Sequence, residues 1–149
     1  MPATLASVGA GPHGSVLTLP TTAALAHLPD LAHAAEWAHV QEGGAQAGTD
    51  PEPVRAGAQA EPTRFRSRLL CPTVLLPSTD YLVCLVPTFH GGVLAGLGKP
   101  VTLSEPRMLD FAWTPARTEA LELPVYDHWT FTTGAPGSPG ATATVSNKQ

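Results

Sequence analysis

Apolar and polar positions show little order over the first 29 residues, apart from one short alternation, Ser15-Val16-Leu17-Thr18-Leu19 ahead of Pro20, which predicts an edge strand. From residue 30 to 42 the apolar spacing becomes that of a helix. Asp30 stands where a helix cap belongs, Leu31, Ala34, Ala35 and Ala38 follow at helical intervals, and Gly43 offers a left-handed stop. Residues 43–63 then hold Val54 as their only large aliphatic side chain. Burying so little apolar surface does not offset the ~1 to 2 kcal/mol of entropy lost per ordered residue, which predicts a mobile linker or long loop.

Beyond residue 64 the period shortens to two. Arg64-Phe65-Arg66-Ser67-Arg68-Leu69-Leu70 alternates before Pro72, and 81–86 is the clearest strand, with Tyr81, Val83 and Leu85 on one face and Leu82, Cys84 and Val86 on the other. Both faces of that strand are apolar, so both need a cover. In 128–133, Trp129 and Phe131 share one face while His128, Thr130 and Thr132 take the other. Residues 121–126 form a further candidate strand interrupted at Pro124, 88–120 read as loop with short elements, and 135–149 as a disordered tail. The organisation expected is a segment with a short helix at 1–42, a linker at 43–63, a β-sandwich-like domain at 64–134 and the tail.

Composition narrows the function classes. The 149 residues are enough for one domain of ordinary size. The 16 prolines and 14 glycines, with only 13% charged residues, mark a chain rich in turns. A net charge of -4 lacks the cationic surface that dominates nucleic-acid affinity, so nucleic acid is not an expected partner. No apolar run approaches the ~18 to 20 residues of a membrane span, and no secretory signal is visible, which makes the cytoplasm the default compartment. Other protein chains are the expected partners.

Leu75-Leu76-Pro77-Ser78-Thr79-Asp80-Tyr81 resembles the tyrosine corner of immunoglobulin-like and fibronectin type III sandwiches, in which a phenol hydroxyl bonds back to the main chain. Trp129-Thr130-Phe131-Thr132-Thr133-Gly134 is similar to the closing strand of bacterial Ig-like domains. The phrases Leu28-Pro29-Asp30-Leu31, Trp37-Ala38-His39-Val40-Gln41, Arg66-Ser67-Arg68-Leu69-Leu70-Cys71-Pro72, Leu94-Ala95-Gly96-Leu97-Gly98 and Leu123-Pro124-Val125-Tyr126 look like a segment of large bacterial proteins, some associated with phage-tail-like contractile assemblies. The resemblance implies a mainly-β, Ig-like sandwich with a structural or interaction role, cut from something larger. Four or five strands against the ~7 of such a sandwich imply that it is incomplete, with structural weight on Tyr81, Trp129 and Phe131.

Candidate chemistry is sparse. Glu36-x-x-His39 has the spacing of a carboxylate-bridged metal site, but that site needs carboxylates from further helices, and the pair reads better as a solvated helix face. His90-Gly91-Gly92 resembles an oxyanion-hole loop without a Gly-x-Ser-x-Gly nucleophile elbow, so loop glycines are the simpler reading. Asp127 and His128 are adjacent, and strand neighbours point to opposite faces. A small hydrolase or metal enzyme using His90, Asp127 and His128 is the alternative to a non-catalytic module, and no cofactor is expected. Arg64, Arg66 and Arg68 form a cationic stripe fit for an acidic partner or phosphate, or the wet face of an edge strand. Cys71 and Cys84 pair only if they sit in facing sheets. A simple hairpin puts Cys84 opposite Arg68, out of disulfide reach, so free thiols are favoured.

Overall fold

The computed structural model describes residues 1–43, 51–102 and 104–137, with 51–55 described in backbone only. The chain is mainly β, built from small antiparallel sheets with a few short helices. It divides into two compact units: Met1–Leu31 with the chain from Val74 onward, and Ala32–Thr73. The boundaries expected near residues 42 and 63 both fall inside the second unit.

In the first unit, β1 (Ser7–Gly11) and β2 (Gly14–Leu19) form a hairpin whose turn uses Gly14 at φ 132°, and β2 also pairs with β6 (Leu121–Val125). The alternation at 15–19 is therefore the central strand of a three-stranded sheet and not an edge. Its second neighbour, Ser-Val-Gly-Ala-Gly, is too poor in β-branched and aromatic residues to announce itself. Opposed pairs Leu17–Leu123 and Leu19–Leu121 put four leucines on one face, and Leu17, Leu19 and Leu123 are the largest fully buried side chains. Each such burial contributes roughly 1.5 to 3 kcal/mol. Pro124 does not break β6, because β6 lies at the sheet edge, where a missing N–H need not interrupt a ladder.

The second sheet of this unit pairs β5 (Asp80–Leu85) with β7 (Asp127–Thr132). On the other side of β5, Pro2 bridges to Tyr81, the Leu82 N–H donates to the Met1 carbonyl at 2.9 Å and the Ala3 N–H to the Asp80 carbonyl at 2.9 Å. β5 thus has neighbours on both edges, and its Tyr81-Leu82 end is buried on both faces. β6 and β7 follow one another but belong to different sheets; the chain crosses at Tyr126, whose N–H bonds to the Leu85 carbonyl at 2.9 Å.

Helices fill the gaps. α1 (Thr22–Leu25) is capped by the Thr21 hydroxyl, which accepts from the Ala24 N–H, and it buries Ala24 and Leu25. Trp113 is buried with its Nε1–H donating to the Pro29 carbonyl at 2.8 Å, the partner a buried indole requires. Residues 90–92, expected as loop, open α3 (His90–Gly96). Gly91 and Gly96 allow the close packing there: a Cβ on Gly91 would lie 3.1 Å from the Met108 carbonyl, and one on Gly96 2.5 Å from Pro124 Cγ.

The second unit overturns the helix expected over 30–42. A 3-10 turn, Leu31–Glu36, with non-helical angles at His33, gives way to β3 (Ala38–Glu42), which pairs antiparallel with β4 (Phe65–Leu69). Alanine spacing favours a helix in isolation, but ladder bonds to a distant strand outweigh a local propensity of a few tenths of a kcal/mol per residue. The linker reading also fails in part. α2 (Pro51–Ala60) forms a helix, and Gly57 comes so near Phe65 that a Cβ would lie 3.2 Å from its ring. Phe65 supplies from outside the segment an apolar partner that 43–63 lacks. Residues 44–50, and the tail from 138 to 149, lie outside the described residues.

Leu123→Ala should cost about 2 to 5 kcal/mol in urea unfolding, and Gly96→Ala about 1 to 3 kcal/mol through overpacking against Pro124. Leu109→Ala, at an exposed position, should stay within about 0.5 kcal/mol of the parent.

Candidate functional site

Among the described residues the densest polar network surrounds the turn ahead of β5. Ser78 takes a left-handed conformation (φ 50°), and the Leu76 peptide is held from both ends. Its N–H donates to Tyr81 Oη at 2.8 Å, and its carbonyl accepts from Thr133 Oγ1 at 2.6 Å. Thr133 Oγ1 also accepts from the Thr79 N–H at 2.9 Å, and the Ser78 N–H reaches the Gly134 carbonyl at 2.9 Å. Beneath the hydroxyl, the Tyr81 ring stacks on its ladder partner Phe131 with centroids 5.7 Å apart, and Trp129 stands opposite Val83 in the next pair on that face. Tyr81, Trp129 and Phe131 are thus brought together on one sheet. The group joins turn to sheet, and beside it the Thr132 hydroxyl donates to the Asp80 carboxylate.

The cysteines are both free. Cys71 is exposed in the second unit, while Cys84 lies on β5 opposite His128. β4 pairs with β3 and β5 with β7, so the hairpin that would set Cys84 against Arg68 does not form. Burial pushes the Cys84 thiol up to about 11 from 9.0, partly countered by the charge of the amino terminus. A thiol held protonated in this way is a weak nucleophile at neutral pH.

His90, Asp127 and His128 occupy different settings. His90 heads α3, its backbone N–H bonded to the Asp110 carbonyl at 2.9 Å. Asp127 turns its carboxylate onto the His128 backbone N–H at 2.8 Å, not onto the imidazole. Glu36 lies in the 3-10 turn and His39 on β3, so the pair shares no helix face. Among the described residues no group of three or more His, Cys, Asp or Glu side chains is placed to hold a metal ion. A cavity of about 90 Å³ lined by Thr22, Leu25, Leu28, Trp113, Thr114 and Arg117 is well below the ~300 Å³ at which small-molecule pockets begin.

The arginine stripe divides. Arg64 sits in a 3-10 turn and is engaged by Glu42 at 2.7 Å and Glu61 at 3.3 Å. Arg66 and Arg68 stand on β4, opposite Gln41 and His39, and form no ion pair among the described residues. The other face of this ribbon carries Val40 and Leu69, 65% and 62% exposed. His39 and Gln41 were not legible as members of this surface because 30–42 reads as a helix; their alternation with Ala38, Val40 and Glu42 is the signal that marks a strand.

Comparison with protein-family models, with curated proteins and with solved structures finds no match to this chain. Among the described residues no helix is long and apolar enough to cross a membrane.

At neutral pH a thiol reagent should label Cys71 promptly and Cys84 only on unfolding. Because the folded Cys84 value lies above the unfolded one, its contribution to stability is complete below about pH 9 and is lost as pH rises toward about 11. Unfolding curves of Cys84→Ala and the parent should therefore converge or cross over that alkaline window while keeping a constant offset below it.

Proposed function

We propose that this chain is a non-catalytic structural or protein-interaction module, a segment of a larger bacterial protein of the kind found in phage-tail-like contractile assemblies, and that its first unit is an incomplete immunoglobulin-like sandwich. The observation that carries this reading is the Tyr81 hydroxyl bonded back to the Leu76 main chain, which has the form of a tyrosine corner. Consecutive strands that change sheet at Tyr126 also fit a sandwich. The described residues of the first unit hold β1, β2, β5, β6 and β7, fewer than the ~7 strands of an Ig-like domain, so edges remain for other chains to cover.

Three polar groups have structural work: the Asp127 carboxylate accepts from the His128 backbone N–H, Thr133 ties a turn, and Arg64 closes an ion-pair network. The competing hydrolase or metal-enzyme reading assigns work to His90, Asp127 and His128. Metal analysis of the purified chain together with an esterase and peptidase screen separates the two. The module reading predicts less than stoichiometric metal and no turnover that depends on His90; one metal per chain, or turnover abolished by His90→Ala, would overturn it.

A further inference from the structure

The ribbon of the second unit has an edge whose main chain and side chains point to one kind of occupant. Leu70 N–H bonds to the Trp37 carbonyl at 2.8 Å and Gly43 N–H to the Arg64 carbonyl at 2.7 Å, at the two ends of the β3–β4 ladder. Antiparallel strands alternate bonded and non-bonded pairs, so His39–Arg68 and Gln41–Arg66 also exchange bonds inward. Ser67 and Leu69 consequently turn their N–H and C=O groups outward, and among the described residues no backbone hydrogen bond reaches them from that side. A two-stranded ribbon with an open edge is a template for a third strand.

Side chains specify which strand. A segment added along β4 bonds through Ser67 and Leu69, which leaves Arg66 and Arg68 in the non-bonded positions, where facing side chains approach to ~4.5 Å. The same alternation sends the segment's other side chains to the face of the exposed Leu69. A second copy of this chain is a poor occupant: antiparallel pairing centred on Ser67 sets Arg66 against Arg68 of the other copy, and like charges directly opposed are destabilising.

We propose that the β4 edge of the 32–73 unit captures an extended segment of another protein in which acidic residues alternate with aliphatic ones, the carboxylates facing Arg66 and Arg68 and the aliphatic side chains joining Leu69. This rests on the interaction-module reading and names its partner class. Strand addition supplies main-chain bonds for affinity, and alternate side chains select the sequence.

The test uses the full chain and a labelled synthetic peptide of alternating Glu and Val, followed by fluorescence anisotropy and by amide NMR shifts. Saturable binding is expected, with the largest shifts at Ser67 and Leu69 and weakening as salt rises. Arg66→Glu with Arg68→Glu should weaken binding by at least about tenfold, while Arg66→Lys with Arg68→Lys should stay within about threefold. The matching Lys-Val peptide needs no variant and should not bind. The proposal is overturned by no binding to the unaltered chain, by equal binding of the Lys-Val peptide, or by unchanged affinity in a folded charge-reversed variant. It is equally overturned if a single-stranded oligonucleotide binds the same amides in preference, or if the edge is closed by self-association. Any of these leaves the non-catalytic reading standing, since that reading falls only to turnover or stoichiometric metal.

Discussion

A main-chain turn that is folded against a sheet must satisfy its amides and carbonyls, and here two side-chain hydroxyls do so. Tyr81 takes the Leu76 N–H and Thr133 takes the Leu76 carbonyl and the Thr79 N–H. The Leu76 N–H bond is part-buried and the bond at its carbonyl exposed, so each contributes about 0.5 to 1.5 kcal/mol net, a sizeable share of a small domain's stability. The same tyrosine ring lies on Phe131, so one side chain couples the turn, β5 and β7. With β5 so placed, the N-terminal segment pairs along its other edge, and β7 leads back through Tyr126 to β6 and the leucine core of the first sheet.

The second unit works with much less apolar material. None of its described residues is buried; the packing it shows is the half-buried Phe65 ring against Gly57 of α2, beside Arg64 with Glu42 and Glu61. Arg64 is consumed there, which leaves Arg66 and Arg68 as the cations of an open strand edge. Charge on an edge commonly serves to keep copies apart. On β4 the same charge that disfavours self-pairing makes an acidic strand complementary, so avoidance of aggregation and choice of partner come from one feature.

Strands with strong side-chain patterns were legible in the chain: residues 81–85 of the 81–86 run, 128–132 of the aromatic alternation at 128–133, and the 15–19 alternation lie in ladders. The glycine-rich Ser7–Gly11 strand was not, because its side chains carry no period and its place is set by β2 alone. The 30–42 stretch misled for the opposite reason: alanine at helical spacing is also compatible with a strand, and only the partner at Phe65–Leu69 decides between them. The bond from the Tyr81 hydroxyl back to the main chain was readable from the turn ahead of it, whereas the role of Thr133 depends on a contact across 54 or more residues that no local pattern encodes.

Amide hydrogen exchange at Leu76 tests the central claim most directly. If the Tyr81 hydroxyl holds this peptide, the Leu76 N–H exchanges slowly in the unaltered chain, and Tyr81→Phe, which keeps the ring and its stacking, speeds it by about fivefold or more while the Leu17 and Leu123 amides change less. A Leu76 amide that exchanges at the rate of free chain in the unaltered protein, or one indifferent to Tyr81→Phe, would contradict the account.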